Sequence, residues 1–583
     1  MGLPSHQGGV TFARVKGDSP HDHPGKKSRS RSTRGKQQIA DHNSGLLPQP
    51  LARGLSALQL GGGFLVIAAV FIGPLLAGSY YEPWRWPLVY TSAAAAALLI
   101  LTSRFNRSLD WGLAILLVWP ILQGIWMYFN AWGEFSQSSA QDTTQLPWRI
   151  NQLPDQPFPA LPGTADKVEA FDRLSYILPC LGLIWGVRQI VVARPSWCQL
   201  LAKSIFWSGV AVAIIGLLQR ATGTSAILWL EELDQGLLRK FFFATFRSPG
   251  IATCFLNLSL ALGLATALNA MRTESDESSN HGHRDKRGRG AERGRRGSYR
   301  SRHPMAYLLL CCAGVVILII AVITAGSKAG MALGVLTIIL FTILNRHAIS
   351  KAFNETSSQL FFGNREVERN VFLGAIVSIT ILLLMSFSGL MYERWSGAHK
   401  LGYSSMSGRI QANEVMTKMI SDDGWGAMGT GPGSFYPLFP YYTNEIDGMI
   451  TGVWAYAHND YLQTLVEWGW LGTGCLAACI GGGFLLIARE LFYHRDNHSK
   501  TRFIFLRGYM VAMTTFLIHA TIEFPFQIES LAVVFSVILG VAWAAADLRG
   551  RDIRFRTRRH PSKDAHRYHF EKLSKHSGNS RDR

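Results

Sequence analysis

Charged residues are scarce in this chain of 583 residues, at 17% of the total. Soluble proteins carry about 25%, so the composition argues against a water-soluble enzyme. The apolar residues, 48% of the chain, are also clustered in runs of about 20 residues, the length that a helix needs to cross a hydrocarbon core. In lipid each run must be helical, because the backbone finds no water to bond.

Cysteine is scarce as well, and its placement excludes a disulfide scaffold. The cysteines lie in or beside apolar runs and form no spaced framework in a polar segment, so we interpret them as small hydrophobic residues. They are Cys180, Cys198, Cys254, Cys311, Cys312, Cys475 and Cys479.

Acidic residues are outnumbered, and the net charge of +19 is concentrated in three polar segments, 1–53, 271–304 and 549–583. Nucleic-acid binding is one interpretation of such segments. Basic segments beside membrane helices remain cytoplasmic, however, and we favour that interpretation, with no nucleic-acid partner. Their composition predicts disorder. The first apolar run begins near residue 56 and is typical of an uncleaved anchor.

The apolar runs predict an all-α, polytopic transmembrane bundle of about twelve spans in a bacterial inner membrane. With the N-terminus inside, alternation places both basic termini and the 271–304 loop in the cytoplasm. It places the acid-balanced segments 129–172 and 391–459 in the periplasm. The expected spans are 56–77, 86–103, 109–128, 173–192, 201–221, 250–270, 305–324, 328–345, 370–390, 460–488, 503–522 and 529–547.

These boundaries divide the chain into seven expected regions. They are a basic tail (1–55), N-terminal helices (56–270), a basic loop (271–304), further helices (305–390), a periplasmic loop with short helices (391–459), C-terminal helices (460–547) and a second basic tail (548–583).

The second outer segment has the pattern of a folded unit. Residues 407–420 predict a short helix, with Ser407 as N-cap. Its apolar side is expected to consist of Ile410, Val415, Met416, Met419 and Ile420. A glycine-rich run follows at 429–433. Because neither Lys-Ser nor Lys-Thr comes after it, we interpret it as a turn that brings the backbone close to another group.

His458 is the strongest candidate for chemistry. A histidine at a membrane interface is often only a snorkelling polar side chain, but here the helix start is unusually polar. Polar residues at membrane depth usually face a cavity or a partner, and imidazole accepts a proton near neutral pH. The accompanying residues are Asn459, Asp460, Tyr461, Gln463 and Glu467.

Three cations, Arg247, Lys328 and Arg409, fall on the outer side, where the positive-inside rule disfavours them. Each alone could form a salt bridge with a loop carboxylate. Together at one cavity they would form an anion site, and guanidinium suits phosphate.

Other polar residues carry weaker signals. Glu445 and Asp447 lack a third ligand nearby, so we expect no metal site there. His519 and Glu523, four residues apart, favour a stabilising pair.

The segment from Ser407 to Gly472 resembles the signature region of the O-antigen ligase and polymerase superfamily. It contains a Gly-Arg that opens a short helix, then Gly429-x-Gly431-Pro432-Gly433-x-Phe435. His458-Asn459-x-Tyr461-Leu462-Gln463 and Glu467-x-Gly469-x-x-Gly472 follow. Ser327-Lys328-x-Gly330, where the family more often has Ser-Arg-Gly, and His519 to Gln527 also fit. The resemblance covers roughly residues 200–545.

The resemblance implies an inverting, metal-independent glycosyltransferase of the GT-C type without a cofactor, active on the periplasmic face. Such enzymes move a glycan from an undecaprenyl-diphosphate carrier to a hydroxyl of a glycan, lipid or protein acceptor. By this resemblance His458 activates the acceptor and Arg247 and Arg409 hold the diphosphate. The remaining expected substrate-binding residues are Lys328, Asn459, Tyr461 and Glu467.

Three alternatives stay open. A polymerase of the same superfamily shares these motifs. A transporter or flippase for a lipid-linked sugar shares the spans and the outer cations, although no inverted repeat is evident. A structural membrane protein leaves the cations unexplained.

The charge distribution yields a topology prediction. A reporter that works only outside the cytoplasm should be active when fused after residue 440, and inactive when fused within 271–304. Activity of a cytoplasmic reporter after residue 440 would contradict both the topology and the proposed outer site.

Overall fold

The fold is known from a computed structural model of the chain. It describes residues 49–76, 84–103, 105, 107–131, 161–224, 226–229, 231–232, 242–284, 304–360, 406–421, 426–443, 454–493 and 499–548. The chain divides into two compact units, residues 1–54 and 55–583, and the account below concerns the second.

The described residues form an all-α structure, as the sequence predicts. Thirteen α-helices are described: α1 (Gln49–Leu75), α2 (Arg85–Leu101), α3 (Ser108–Phe129), α4 (Lys167–Ala193), α5 (Trp197–Thr222), α6 (Pro249–Arg284), α7 (Pro304–Ala325), α8 (Lys328–Leu360), α9 (Met406–Ser421), α10 (Phe435–Thr443), α11 (Asp460–Tyr493), α12 (Lys500–His519) and α13 (Glu529–Ala544). Two strands, β1 (Ala226–Ile227) and β2 (Glu231–Glu232), form a small antiparallel pair.

Ten described helices are long and apolar enough to cross a membrane, and each matches one of the twelve expected spans. The expected span 86–103 corresponds to the shorter apolar helix α2, of 17 residues. The expected span 370–390 lies outside the described residues. Helix α12 ends at His519, three residues before its expected end, and this places residues 520–528 in a connection beside α11.

The membrane-spanning part of helix α6, residues 249–272, is almost entirely buried. It packs against α5, α7, α8 and α12. Small residues let these backbones approach closely: a side chain at Gly209 would collide with Ser259, and one at Gly330 with Thr253. Asn257 Nδ2 donates to the Gly330 carbonyl at 2.9 Å, which aligns the start of α8 with the third turn of α6.

A buried ion cluster joins helices α3, α4 and α13 near the C-terminal end of α13. The fully buried Arg188 lies 2.7 Å from both Asp110 Oδ1 and Asp547 Oδ2. Arg107 also pairs with Asp547. If one of these helices moved away, a charged side chain would be left unpaired in an apolar environment, which is strongly unfavourable. The cluster therefore holds the three helices together.

The segment around α9 and α10 has a small core of its own. Val415, Met416 and Met419 of α9 pack on Phe435 and Phe439 of α10. The helix predicted at 407–420 is therefore confirmed.

Two details of that helix prediction are wrong. Helix α9 begins at Met406, so Ser407 lies inside the first turn instead of capping it. Ile410 is 57% exposed, because it falls on the helix face opposite to the one that contacts α10.

Helix α11 is kinked at Gly469, which has φ 62° and ψ −173°. The glycine-rich turn at 426–433 packs into this kink. The amides of Thr430 and Gly431 donate to the carbonyls of Val466 and Glu467, and Trp470 donates back to Gly426 at 2.8 Å. The hydrogen bonds of the turn thus replace the helix bonds that the kink breaks. The turn lies against the backbone of α11, in agreement with the prediction that it approaches another group closely.

Gly469 should be intolerant of a side chain. Its combination of φ 62° and ψ −173° is essentially restricted to glycine and would cost alanine about 1–3 kcal/mol. An added methyl would also collide with Met428 and Gly429. Gly469→Ala should therefore lower the melting temperature of the purified protein. Gly474, in the same helix, has open space around it, so Gly474→Ala should raise stability by helix propensity, about 1 kcal/mol. Equal effects of the two substitutions would contradict the structural role of the kink.

Candidate active site

Two of the described side chains, those of His458 and Arg409, meet at one carboxylate, that of Glu523. Glu523 Oε2 lies 3.1 Å from His458 Nδ1, and Glu523 Oε1 accepts from Arg409 Nη2 at 2.9 Å. The Glu523 side chain is buried, whereas those of His458 and Arg409 are 30% and 29% exposed. The carboxylate therefore lies beneath a histidine and an arginine that solvent and substrate can reach.

The burial of Glu523 depends on the first turn of α6. A methyl group at Gly250 would lie 2.6 Å from Glu523 Oε1, so only glycine lets the carboxylate approach there. The amino end of a helix also favours a negative charge. Burial acts to raise the pKa of Glu523, but the hydrogen bond and charge of His458 and the charge of Arg409 outweigh it. The pKa of this carboxyl therefore lies below its ordinary value near 4.5.

The ionised Glu523 determines which imidazole nitrogen carries the proton. A carboxylate only accepts hydrogen bonds, so Nδ1 of a neutral His458 must donate to it. The lone pair then lies on Nε2, and the same carboxylate would stabilise the imidazolium formed when Nε2 takes a proton. This is the arrangement of a histidine base oriented by a carboxylate.

The backbone at His458 adopts a left-handed conformation, with φ 53°. Histidine is among the few residues enriched there, and such positions cluster at functional sites. Buried bonds on either side maintain it. The Ala457 amide donates to Gln463 Oε1 at 3.0 Å, and the Asp460 amide donates to the Ala520 carbonyl at 3.0 Å.

Asp460 attaches the segment that carries Glu523 to the start of α11. Its buried carboxylate accepts from the Phe526 amide at 2.7 Å and from Gln527 Nε2 at 3.3 Å. Because His458 and Asp460 are two residues apart, these bonds hold Glu523 in register with the imidazole.

Aromatic rings surround the imidazole. Trp454 and Phe524 meet the His458 ring edge to face, with centroids 5.7 and 4.9 Å away. On its other side Phe524 stacks on Tyr456 at 4.3 Å. These rings restrict the orientation of His458.

Arg247 and Lys328 lie at the same end of the bundle. Arg247 is half-buried and lies three residues before Gly250, whose backbone contacts Glu523. Lys328 is the first residue of α8, whose first turn packs on the second turn of α6. Both cations therefore belong to segments that adjoin the first turns of α6.

Asn459, Tyr461 and Glu467 have contacts within the protein. Asn459 Nδ2 donates to Asn413 Oδ1 at 3.3 Å, and the Tyr461 hydroxyl donates to the Leu517 carbonyl at 2.8 Å. Glu467 is buried. It accepts from Gln463 Nε2 at 3.1 Å, and the amides at the start of α10 bond to its carboxylate. The bonds of Glu467 support the glycine-rich turn.

His519 and Glu523 lie close together, as predicted: the Glu523 amide donates to the His519 carbonyl at 3.0 Å, and the two side chains interact electrostatically. Their side chains form no hydrogen bond with each other. Helix α12 ends at His519, so Glu523 belongs to the following turn and directs its two oxygens to His458 and Arg409. His519 Nε2 is buried without a hydrogen-bond partner among the described residues.

Sequence reasoning missed Glu523 and Asp460 as members of the site. Both lie in stretches whose polar residues stand out in the sequence. Neither stretch, however, indicates that the end of α12 folds onto the start of α11. The available signal was the concentration of buried-type polar residues in two short stretches, 457–467 and 519–527.

No group of three or more potential metal ligands occurs within the described ranges. Glu445 and Asp447 lie outside them. The question of a metal at that pair is therefore one for experiment.

Comparison with known families agrees with the resemblance. Residues 313–477 match the family model described as O-antigen ligase. This segment includes Lys328, Arg409, His458 and the glycine-rich turn, and it is narrower than the 200–545 of the resemblance. The match supports a ligase- or polymerase-type membrane glycosyltransferase of the O-antigen ligase superfamily. No curated protein matches the chain.

The lowered pKa of Glu523 gives a pH prediction. A carboxylate whose pKa is lower in the folded state contributes stability above its unfolded value near 4.5, and loses it as pH falls through the folded value. Wild type should therefore unfold at higher temperature than Glu523→Gln at neutral pH, and the difference should shrink below about pH 4.5.

The matched control for this measurement is Glu414→Gln, on the exposed side of α9, which should change stability little. An unfolding difference between wild type and Glu523→Gln that stays constant to the lowest pH tolerated would contradict the ionised carboxylate.

Proposed function

We propose that this chain, on the premise of its O-antigen ligase domain, transfers a glycan from an undecaprenyl-diphosphate carrier to an acceptor hydroxyl on the periplasmic face of the inner membrane. The observation that carries the proposal is the contact between His458 Nδ1 and Glu523, at 3.1 Å. It provides a partly exposed general base held by a buried carboxylate, as nucleophile activation requires.

The proposed reaction needs one proton acceptor. His458 Nε2 takes the proton of the acceptor hydroxyl, and the acceptor oxygen bonds to the anomeric carbon of the glycan. The bond from that carbon to the diphosphate oxygen breaks, and the diphosphate leaves with the electron pair. Attack on the face opposite the leaving group inverts the anomeric carbon.

The leaving diphosphate requires charge compensation, which fixed guanidinium groups can supply in place of a metal. Arg409 uses Nη2 on Glu523, and a guanidinium has five donors in all. Arg247, near Gly250, and Lys328, at the start of α8, would extend the positive region. Glu523 thus positions the base and one diphosphate ligand together.

The directions of the helices support a periplasmic site. Helix α6 begins beside Glu523 and leads into the basic loop, and α13 begins next to the same segment and leads into the basic C-terminal tail. Both basic segments therefore leave helices at the end away from the site. Basic segments stay in the cytoplasm, and this supports the proposal of a site on the periplasmic face.

A polymerase would use the same chemistry, with another glycan repeat as acceptor. A flippase would move the lipid-linked sugar without breaking the glycosidic bond. A transfer assay on purified protein with a lipid-diphosphate donor and separate lipid, glycan and protein acceptors distinguishes these functions by product.

Replacement of His458 by alanine should reduce transfer about 10²- to 10⁴-fold, the usual contribution of a general base. Protein insertion and accumulation should be retained. The matched control is His347→Ala, an exposed histidine of α8, which should be fully active. Near-normal transfer by His458→Ala in the same assay would remove the base from the mechanism.

Arg409→Lys should keep the charge but lose most of the transfer activity, because ammonium cannot give two parallel bonds to a diphosphate. The control Arg346→Lys, at an exposed position of α8, should be active. EDTA should leave wild-type transfer unchanged. Loss of transfer with EDTA and its recovery with magnesium would instead favour a metal at Glu445 and Asp447.

A further inference from the structure

A polar cavity of about 370 Å³ lies beside the His458–Glu523 pair. Its volume is within the range of about 300–1,000 Å³ that is usual for small-molecule sites. Helices α2, α4, α10 and α13 and the segment before His458 surround it. The lining side chains on which the argument depends are Arg85, Glu169, Asp172, Arg173, Tyr436 and Glu529.

The charges of this cavity differ from those around Glu523. Two guanidinium groups face three carboxylates. Arg85 lies 3.0 Å from Asp172 Oδ2 and 3.2 Å from Glu529 Oε1. Its single positive charge is therefore already compensated by two carboxylates. A diphosphate would meet the excess of negative charge, and the cavity is therefore unsuited to the anionic part of a substrate.

The alternative explanation is that the ion pairs in this cavity have a purely structural role and join α2, α4 and α13. The cluster at the other end of the bundle shows what such a joint looks like, with Arg188 fully buried and its pairs at 2.7 Å. By contrast, the side chains of Asp172 and Glu169 are 30% and 25% exposed. Arg173 and Glu169 stand 4.0 Å apart. These groups face an open space and keep bonding capacity for a ligand.

The chemistry of the lining fits a sugar. Carboxylates accept hydrogen bonds from hydroxyl groups, and guanidinium donates to their oxygens. Tyr436 and Tyr456 add aromatic rings with a polar end. A few convergent polar groups and aromatic walls are what fix an uncharged polyhydroxylated ring in a pocket.

The cavity adjoins the candidate active site. Tyr456, two residues before His458, stacks on Phe524 at 4.3 Å, and Phe524 meets the imidazole. Gln527 also lines the cavity, and its amide donates to Asp460. A ligand in the cavity would therefore lie next to the segment that orients the base.

From this geometry we infer that the cavity is a sugar-binding subsite for an uncharged or amino sugar residue of a glycan substrate. The inference rests on the proposed function. The residue belongs either to the donor glycan or to the acceptor glycan, since both present the same chemistry.

Binding of sugars to the full chain in lipid nanodiscs tests the inference without transfer. The probes are methyl glycosides of glucose, galactose, N-acetylglucosamine, glucosamine and glucuronic acid, observed by saturation-transfer NMR, with inorganic pyrophosphate as a separate anionic probe. Neutral and amino sugars should bind and the glucuronide should not. Asp172→Asn and Tyr436→Phe should each weaken sugar binding about tenfold, the effect of losing one strong hydrogen bond. Pyrophosphate binding should stay unchanged in both.

Glu414→Gln, which removes an exposed carboxylate of α9 that does not line the cavity, is the control. It should leave sugar binding unchanged. Should Asp172→Asn fail to fold, Tyr436→Phe, which breaks no ion pair, decides the test. Absence of sugar binding in wild type, preference for the glucuronide, or equal binding in wild type and Tyr436→Phe would overturn the inference.

The transfer assay separates this result from the proposed function and identifies the source of the sugar. A raised KM for the acceptor in Tyr436→Phe, with an unchanged KM for the donor, assigns the subsite to the acceptor glycan, and the reverse assigns it to the donor. Transfer activity without sugar binding in the cavity would support the proposed function and refute the subsite. Sugar binding without any transfer would support the subsite and refute the proposed function.

Discussion

The buried carboxylate of Glu523 is the interaction on which the candidate active site depends. It orients His458 through Nδ1, holds Arg409 through its second oxygen, and fits against the backbone at Gly250. A buried charge is tolerated only when it is paired and hydrogen-bonded. Removal of any one partner would therefore disturb the other two, and the base and the cation cannot be positioned independently.

The position of Glu523 in turn depends on how the polypeptide closes around the start of α11. Asp460 bonds to the Phe526 amide, and Gln463 bonds to the amide of Ala457. Further along α11, the kink at Gly469 receives the glycine-rich turn, which anchors the small core between α9 and α10. The glycines at 429–433 therefore support the site from a distance.

Positive and negative side chains lie in different places at this end of the bundle. This separation fits a proposed substrate that has an anionic diphosphate at one end and an uncharged sugar at the other. In the proposed reaction Arg409, Arg247 and Lys328 would hold the diphosphate, whereas the cavity beside Tyr456 has more carboxylates than guanidinium groups. Because the cations and the cavity are close together, they would hold the sugar between its leaving group and His458. Such positioning alone supplies a large part of the rate enhancement of a group transfer.

The sequence by itself determined the membrane-spanning helices, because a run of about 20 apolar residues has a single stable conformation in lipid. It also predicted the short helix at 407–420, which the structure contains, and it proposed His458 and Arg409 as site residues from local pattern. Periodicity did not predict that Ile410 is exposed, because the choice of face depends on where α10 packs.

The tertiary structure alone decided the partner of each of these residues. Glu523 and His458 are 65 residues apart, and Glu523 and Arg409 are 114 apart. The local spacing predicted a pair between Glu523 and His519, four residues before it, and the Glu523 amide does donate to the His519 carbonyl at 3.0 Å. The two longer-range partners of the carboxylate were not predicted. The helix ends at His519, and the chain that follows folds back on Asp460, so the carboxylate reaches residues that only long-range packing brings near.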